Sequence, residues 1–318
     1  MDQAAIIGWA RRATGDAAAD AAAVAETPWS RVFRISSHGK YFYLKQPVPP
    51  LMIETSVLRL CHAGGFAALP EIIAENEALS CFLMTDCGAS TLRDSFAEGF
   101  DAARMAHGLR VYRGLQHATA AYIASFLAAG VPDWRIEKIA ALYKQAVSDA
   151  DFLKAEGLDD ATIGAAEDAA AVVADRAAAL AAFGLPQCLT HADLHDNNMV
   201  VDSRTGAISL VDLGETAVSH PFLSLGFCLG RTSYRYGLSA DSEERKVLQE
   251  AGFGGWPLPA EDLRHAVALG ESLAHVYVLL GHLRLMAVAG SALNELPRMR
   301  GRVKTGLATI VAAMKTPM

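Results

Sequence analysis

The strongest constraint on the fold is a change of pattern along the 318-residue chain. Residues 31–85 contain short runs of aromatic and β-branched residues separated by turns, which is typical of strands. Residues 91–185 are instead rich in alanine and repeat their apolar residues at helical spacing. Because a chain of this length can bury a sizeable core, we expect a β-rich lobe followed by a larger helical lobe.

The N-terminal part is predicted to contain two β-hairpins with a helix between them. Apolar residues recur at helical spacing from Leu51 to Cys61, and the pair Gly64–Gly65 ends that helix. The expected order is therefore two strands, a helix and two strands. The paired strand sequences are RVFRIS (31–36) with YFYLK (41–45), and PEIIAE with LSCFLMT (79–85).

A brief β segment interrupts the helical part, with MVV (199–201) and ISLV (208–211) on either side of a turn. Helical patterns then continue to the end, with a break at 251–259. The prediction is an α+β fold with two lobes. A small β-rich N-terminal lobe would span residues 1–87 and a large, mainly helical lobe residues 88–318.

Composition narrows the class of protein. The net charge of −7 does not favour nucleic acid or an acidic membrane as a partner, although it is compatible with a cationic substrate. The five cysteines form no CxxC pair, and the N-terminus lacks a signal-peptide pattern, so we expect a cytoplasmic protein. The apolar stretch 267–290 contains Glu271 and Arg284, which indicates a buried helix and no membrane span.

The stretch THADLHDNN (190–198) concentrates ligand-capable side chains in a chain that is otherwise rich in alanine and leucine. If the following turn centres near Thr205, Asn198 and Asp212 lie seven residues on either side of it and face each other. Asp193 would lie in the loop just before them. An amide oxygen beside carboxylates suits Mg²⁺, and Asp193 could accept a proton from a hydroxyl.

A second constellation is predicted in the N-terminal lobe. Lys45 closes a strand, and Glu54 lies on the inward, apolar face of the next helix. Because a buried glutamate is costly without a partner, Lys45 is expected to pair with it. A lysine held in this way can offer its ammonium group to nucleotide phosphates.

These motifs carry a resemblance to a known family. HADLHDNN resembles the catalytic loop H-x-D-x-x-x-x-N of the aminoglycoside phosphotransferase and choline kinase-like superfamily, distant relatives of the protein kinases. The stretch VDLGE is similar to the family's metal-binding motif, and TPWSRVFRI…YFYLK to its nucleotide loop and lysine strand. CFLMTDCGASTL looks like the segment that links the lobes. The match covers roughly residues 25–230.

The resemblance implies a two-lobed, kinase-like enzyme that transfers the γ-phosphate of ATP to a hydroxyl of a small molecule, which fits the chemistry of phosphoryl transfer. Asp193 would be the base, and His191 would brace its loop. Asn198 and Asp212 would hold Mg²⁺. The residues expected at the nucleotide are Lys45, oriented by Glu54, together with Ser30, Met84 and Cys87.

The sequence departs from the family pattern at two places. The nucleotide loop ETPWSRVF has no G-x-G-x-x-G, so Ser30 would supply a phosphate contact, and Trp29 would either cover the nucleotide or pack. The family often has an aspartate at the position of Ser224, which usually braces the catalytic loop.

Two alternatives remain open from the sequence. A kinase-like module could bind nucleotide without turnover. A metal-dependent hydrolase could instead use His191, Asp193 and His195, which alternate along the chain and could face one ion.

Overall fold

The computed structural model describes residues 3–317 (for residues 291 and 294, the backbone only), and the chain begins with an antiparallel sheet. Its strand order is β1-β2-β3-β5-β4. The elements of this N-terminal part are α1 (Gln3–Thr14), β1 (Asp20–Thr27), β2 (Ser30–Ser37), β3 (Lys40–Pro47), α2 (Ile53–Ala63), β4 (Ile72–Asn76) and β5 (Cys81–Thr85).

The two predicted hairpins and the helix between them are present, but the predicted order was incomplete. A helix and a further strand, α1 and β1, precede the first hairpin. The sequence of β1, DAAAVAET, has no aromatic residue and only two β-branched ones, Val24 and Thr27, so its strand signal is weak. Pairing with β2 along its whole length provides the hydrogen bonds that its side chains do not favour.

Helix α1 covers one face of this sheet. Ile6 and Ala10 are fully buried and pack in one apolar cluster with Phe33, Ile35 and Leu44 of the sheet. Helix α2 buries Val57, Leu58 and Cys61 in the main core instead. The small sheet is therefore held between α1 and the larger, helical part of the molecule.

The chain passes from the sheet to the helical part through residues 86–89. Gly88 has φ +146°, and a Cβ there would lie 2.2 Å from the carbonyl oxygen of Val201. A glycine is therefore required where this connection crosses the backbone of the larger part. The proposed lobe boundary between residues 87 and 88 lies in this connection and stays a prediction.

The larger part is mainly helical, as predicted, with two small three-stranded sheets in the orders β7-β11-β8 and β10-β9-β6. Its helices are α3 (Leu92–Ser95), α4 (Ala102–Thr119), α5 (Ile123–Ala128), α6 (Ile136–Val147), α7 (Ala150–Ala155), α8 (Asp160–Ala181), α9 (Pro221–Tyr236), α10 (Glu243–Phe253), α11 (Ala260–Ala289) and α12 (Arg302–Lys315). Its strands are β6 (Ser90–Thr91), β7 (Asp133–Trp134), β8 (Cys188–His191), β9 (Met199–Val201), β10 (Ile208–Leu210) and β11 (Thr216–Ser219).

Helix α11 is the apolar helix expected from the sequence. It is long and apolar enough to cross a membrane by length and composition alone, yet half of its most apolar 18-residue window is buried inside the structure. Leu273, Val276 and Tyr277 belong to the main core. These contacts are those of a core helix.

A buried arginine fixes the end of α12. Arg176 of α8 is 7% exposed, and its guanidinium donates to the carbonyl oxygens of Ala313 (3.1 Å) and Thr316 (2.7 Å). These carbonyls lie at the C-terminal end of α12, where backbone acceptors lack helical partners and a cation is favoured. The contact helps to hold α12 in place against α8.

Candidate active site

The central feature is an interlobe cleft of about 910 Å³, lined by both parts of the molecule. This is enough room for a nucleotide and a small second ligand. Most of the predicted site residues line it. These are Ser30, Lys45, Met84, Cys87, Asp193, Asn198 and Asp212.

Asp193 lies in the loop that joins β8 to a 3₁₀ turn at Asp196–Asn198. The ring of His191, at the end of β8, holds this loop. Its Nδ1 accepts from the backbone N–H of Asp193 at 3.2 Å, so Nε2 carries the proton and donates to the carbonyl of Val211 at 3.1 Å. Burial lowers the pKa of His191 and favours this neutral ring. The contacts are those expected of a bracing residue.

Both carboxylate oxygens of Asp193 have partners. Oδ2 accepts from His195 Nε2 at 3.1 Å, and Oδ1 accepts from Arg231 Nη1 at 2.7 Å. Burial opposes ionisation of Asp193, but the hydrogen bond from His195 and the charge of Arg231 outweigh it and hold the pKa well below its usual range. The side chain is still 38% exposed, so a carboxylate of fixed orientation faces the cleft.

Two further residues support this loop. His195 contacts the base candidate directly. Asp196 is 3% exposed and pairs with Arg93 at 2.7 Å and with the hydroxyl of Tyr236. These two contacts of Asp196 tie the end of the loop to α3 and α9.

Lys45 is almost fully buried and lies between two carboxylates. Its Nζ is 2.6 Å from Glu54 Oε2 and 2.5 Å from Asp212 Oδ1. The second oxygen of Glu54 accepts from the backbone N–H of Leu213 at 3.1 Å. Burial alone would lower the pKa of Lys45, but Asp212 and Glu54 raise it above its usual value. The predicted Lys45–Glu54 pair is present, and Asp212 completes a network across the cleft.

The predicted register of the β9–β10 hairpin was wrong by one residue. Ile208 pairs with Val201, and Leu210 pairs with Met199, so Asn198 lies opposite Val211. The backbone N–H of Val211 donates to the carbonyl oxygen of Asn198 at 3.0 Å. Asp212 follows with a left-handed backbone, φ +64°. This conformation, which aspartate tolerates better than most residues, ends the strand and turns the chain towards Lys45.

Asn198 is 6% exposed and is held by its own amide. Its Nδ2 donates to the carbonyl of Asp193 at 2.9 Å, which leaves Oδ1 as the free end of the side chain. An amide oxygen and a carboxylate, with few other protein groups, form the hard-oxygen donor set that Mg²⁺ accepts. Asn198 and Asp212 therefore fit the predicted metal role chemically.

The predicted nucleotide loop is a tight turn without glycine. Thr27 pairs with Ser30 across Pro28–Trp29, and the N–H of Ser30 donates to Thr27 Oγ1 at 3.0 Å. Trp29 lines the cleft and also packs in an apolar cluster with Leu51. Of the two interpretations for Trp29, packing is therefore observed.

Cys87, in the connection between the parts, has a thiol whose pKa burial raises to about 11. The thiol therefore stays protonated near neutral pH and behaves as a weakly polar lining group. Met84, at the end of β5, is 8% exposed and lines the same part of the cleft.

Ser224, where the sequence departs from the predicted family pattern, contacts a buried tyrosine. The hydroxyl of buried Tyr112 accepts from the backbone N–H of His191 at 2.9 Å and lies 2.7 Å from Ser224 Oγ. Gln116 Nε2 also lies 3.5 Å from that oxygen. A Tyr112–Ser224 pair thus braces β8, the strand before the loop.

Sequence reasoning missed Glu215 and Arg231. Glu215 lines the cleft three residues after Asp212, and burial, with repulsion from Asp212 and Asp193, raises its pKa to about 8. Its place in VDLGE was a usable signal. Arg231 lies in the middle of α9, where no motif or periodicity distinguishes it from a surface arginine.

The geometry does not support the hydrolase alternative. All four ring nitrogens of His191 and His195 are engaged with protein groups, since His195 Nδ1 accepts from the N–H of Asn197. No group of three or more His, Cys, Asp or Glu residues suited to hold a metal occurs within residues 3–317. Neither ring can donate a lone pair to zinc without breaking the loop.

Comparisons with known proteins show which family this chain resembles. The family model described as "Phosphotransferase enzyme family" matches residues 9–261. Among curated protein sequences, no significant match is found.

Three solved structures have the same fold. A choline/ethanolamine kinase family protein from Mesorhizobium loti is 18% identical (TM-score 0.60; 94% of this chain and 89% of that chain covered). A Plasmodium vivax ethanolamine kinase is 11% identical (TM-score 0.66; 93% and 84%). The GDP and kanamycin complex of APH(2")-IIia is 16% identical (TM-score 0.61; 98% and 98%). With the family model covering most of its length, the chain belongs to the phosphotransferase enzyme family and is a small-molecule kinase with the α+β, kinase-like fold.

Proposed function

We propose that the protein transfers the γ-phosphate of ATP to a hydroxyl of a small molecule, with Asp193 as the base. The observation that carries the proposal is the carboxylate of Asp193, held at both oxygens and facing the same cleft as the Lys45–Asp212 pair. An oriented acceptor site next to a phosphate-binding cation is what phosphoryl transfer requires.

The nucleotide would occupy the side of the cleft formed by the sheet and the connection. Met84 and Cys87 would flank the base, with backbone groups of the connection as hydrogen-bond partners. Lys45, oriented by Glu54, would contact the phosphates, and Ser30 would contact them from the short loop. The solved complex of APH(2")-IIia contains GDP, which supports a nucleotide here and makes GTP the obvious competitor to ATP.

Asn198 and Asp212 would hold Mg²⁺, with the free Oδ1 of Asn198 and the carboxylate of Asp212 as donors. When bound, the ion would supply neutralisation of the phosphate charge. Lys45 would then share Asp212 with the metal and keep its contact with Glu54, so the network remains anchored.

Asp193 would accept a hydrogen bond from the acceptor hydroxyl and orient its oxygen in line with the γ-phosphorus. A bond forms between that oxygen and phosphorus, the bond to the bridging β–γ oxygen breaks, and ADP leaves. The hydroxyl proton passes to Asp193 and then to solvent. Since the pKa of Asp193 lies below its usual range, orientation contributes more here than basicity.

We also propose a cytoplasmic location. The five cysteines are free, and four of them are buried, which fits a reducing compartment.

The test is product formation across a panel of hydroxylated acceptors, with ATP and GTP tested separately. Aminoglycosides, choline, ethanolamine, sugars, sugar acids and nucleosides would each be incubated with nucleotide and Mg²⁺. We expect ADP release together with a phosphoester signal in ³¹P NMR for at least one acceptor. Nucleotide binding without a phosphoester from any class would contradict the proposal.

A further inference from the structure

The side of the cleft beyond Asp193 is formed by α9, α11, the turn before α12 and α12 itself; we call it the C-terminal wall. It is where an acceptor would lie if the proposed function holds. Its polar lining is mostly basic or neutral and includes Arg231, His275, His282, Arg298, Arg302 and Thr305.

The charges of this wall are not balanced. Three arginines face two carboxylates, Asp193 and Glu215, and one oxygen of Asp193 is already paired with Arg231. Within residues 3–317, no carboxylate lies within salt-bridge distance of Arg298 or Arg302. A cluster of like charges is unfavourable unless an anion accompanies it.

Arg302 is fixed at the centre of this imbalance. Its Nε donates to the backbone carbonyl of Arg298 at 3.0 Å, which ties the Arg302 side chain to the turn before α12. Its side chain lines the same cleft as Asp193, Arg231 and Arg298; burial lowers the pKa of the guanidinium, whereas the charge of Asp193 raises it. Its terminal nitrogens remain available in the form that binds carboxylates and phosphates in pairs.

A second observation points to a ligand at the same wall. His282 lines it and is only 9% exposed, and its Nδ1 has no hydrogen-bond partner among the described residues. Burial and the neighbouring Arg302 lower its pKa to about 4, so the ring is neutral. A buried, unpaired ring nitrogen costs free energy unless a ligand or water completes its hydrogen bond.

We propose that the acceptor is an anionic hydroxylated small molecule, whose carboxylate or phosphate is bound by Arg298 and Arg302 while its hydroxyl reaches Asp193. His282 would hydrogen-bond a further polar group of the same ligand. This inference rests on the proposed function and deepens it by naming the substrate class. A polycationic acceptor would instead bring its charges against the three arginines of the wall.

The test uses two series of probes that match in size and differ in charge. One series is D-glucose, D-glucosamine, D-gluconate and glucose 6-phosphate; the other is glycerol, 3-amino-1,2-propanediol, D-glycerate and glycerol 3-phosphate. Binding is measured by calorimetry with Mg²⁺ and a non-hydrolysable ATP analogue, and turnover by ADP release. We expect an anionic member to bind or react at least about tenfold better than its neutral and cationic counterparts. The carboxylate and phosphate members identify which anion is preferred. Failure of every anionic member to bind, or preference for the amines, would overturn the inference.

Variants separate this site from the nucleotide site. Arg302→Gln and Arg298→Gln should each raise the KM or Kd for the anionic probe about tenfold and change the KM for ATP less than about twofold. Lys304→Gln is the matched control, because Lys304 is exposed on α12 but does not line the cleft. Thermal unfolding checks that the variants fold. If Arg302→Gln raises the KM for ATP and leaves the anion unaffected, the arginines serve the nucleotide and the inference is wrong.

The two proposals fail in distinguishable ways. Turnover of neutral or cationic acceptors alone would keep the phosphotransferase proposal and overturn the anionic acceptor. Arg302-dependent binding of an anionic probe without any phosphoester product would keep the anion site and overturn the phosphotransferase proposal.

Discussion

The two sides of the cleft differ in how their cations are held. On the N-terminal side, Lys45 has two carboxylate partners, Glu54 and Asp212, at 2.6 and 2.5 Å. On the C-terminal wall, Arg298 and Arg302 have no carboxylate partner among residues 3–317. The first side is organised before any ligand binds, as suits a cofactor that is the same in every cycle. The second side has charges that a ligand must complete, and such a side is where specificity is set.

Removing Lys45 from its network with Glu54 and Asp212 should have the largest effect on stability and activity. Lys45→Met removes the counter-ion that Glu54 and Asp212 share, and an uncompensated buried carboxylate costs about 3–5 kcal/mol of unfolding free energy. We expect that loss in urea denaturation, together with a large drop in kcat. Lys40→Met is the control, because Lys40 lies exposed on the same strand. Equal unfolding free energies for the two variants would show that the Lys45 network is not a stabilising element.

Arg231, on the C-terminal wall, pairs with Asp193 and should control the pH dependence of kcat/KM. Because Arg231 helps to hold the pKa of Asp193 below its usual value, the carboxylate stays ionised in mildly acidic solution. Arg231→Gln should raise that pKa, so the acid limb of kcat/KM should move up by about one pH unit. Activity should change most at the acid end of the profile, below about pH 4, and little near neutral pH.

Arg235→Gln provides the comparison for that profile. Arg235 lies one turn further along α9, and its guanidinium is 3.9 Å from Asp196. The profile of this variant should match the wild type. If both variants shift the acid limb equally, the effect belongs to the general charge of α9 and not to the Arg231–Asp193 pair.

Loss of the hydrogen bond between Tyr112 and the backbone of His191 should have a smaller effect on stability and kcat. Tyr112→Phe leaves the N–H of His191 without its acceptor, which should lower the unfolding free energy by roughly 1–3 kcal/mol and reduce kcat. Tyr143→Phe removes an equally buried hydroxyl that donates to Ala166 O, far along the chain from the loop. It should lower stability and leave kcat unchanged. A normal kcat in Tyr112→Phe would argue against the brace.

Ser30 should give the smallest change. Ser30→Ala removes one side-chain contact to the phosphates, so we expect the KM for ATP to rise only a few-fold, with the KM for the acceptor unchanged. Ser36→Ala, on the same strand but outside the cleft, serves as the control. No change in the KM for ATP would assign Ser30 to the turn alone.

The N-terminal side of the cleft could be predicted from the sequence better than the C-terminal wall. Lys45 and Glu54 are nine positions apart on neighbouring elements, and the cost of burying a glutamate alone was enough to pair them. The two hairpins and the helix between them were equally readable, because their patterns are local. Strand β1 was missed because its alanine-rich sequence has only a weak strand signal, from Val24 and Thr27, and depends on pairing with β2.

The C-terminal wall could not be predicted for a different reason. Arg231, His282 and Arg302 come from α9, α11 and α12, and only the packing of these helices brings them to one surface. The acidic net charge was compatible with a cationic substrate, whereas Arg298 and Arg302 of the wall have no carboxylate partner in the part of the chain that the structure describes. The position of Asp212 was nearly right, but the register differed by one residue because the turn centres between Arg204 and Thr205 and not on Thr205.

The central claim is that Asp193 serves the chemical step and not nucleotide binding. The most direct measurement compares wild type and Asp193→Asn for kcat with a turned-over acceptor and for the Kd of Mg²⁺–ATP. We expect kcat to fall by about two to four orders of magnitude while the Kd stays nearly constant. A variant that keeps near-normal kcat, or one that loses nucleotide affinity in proportion to kcat, would contradict it.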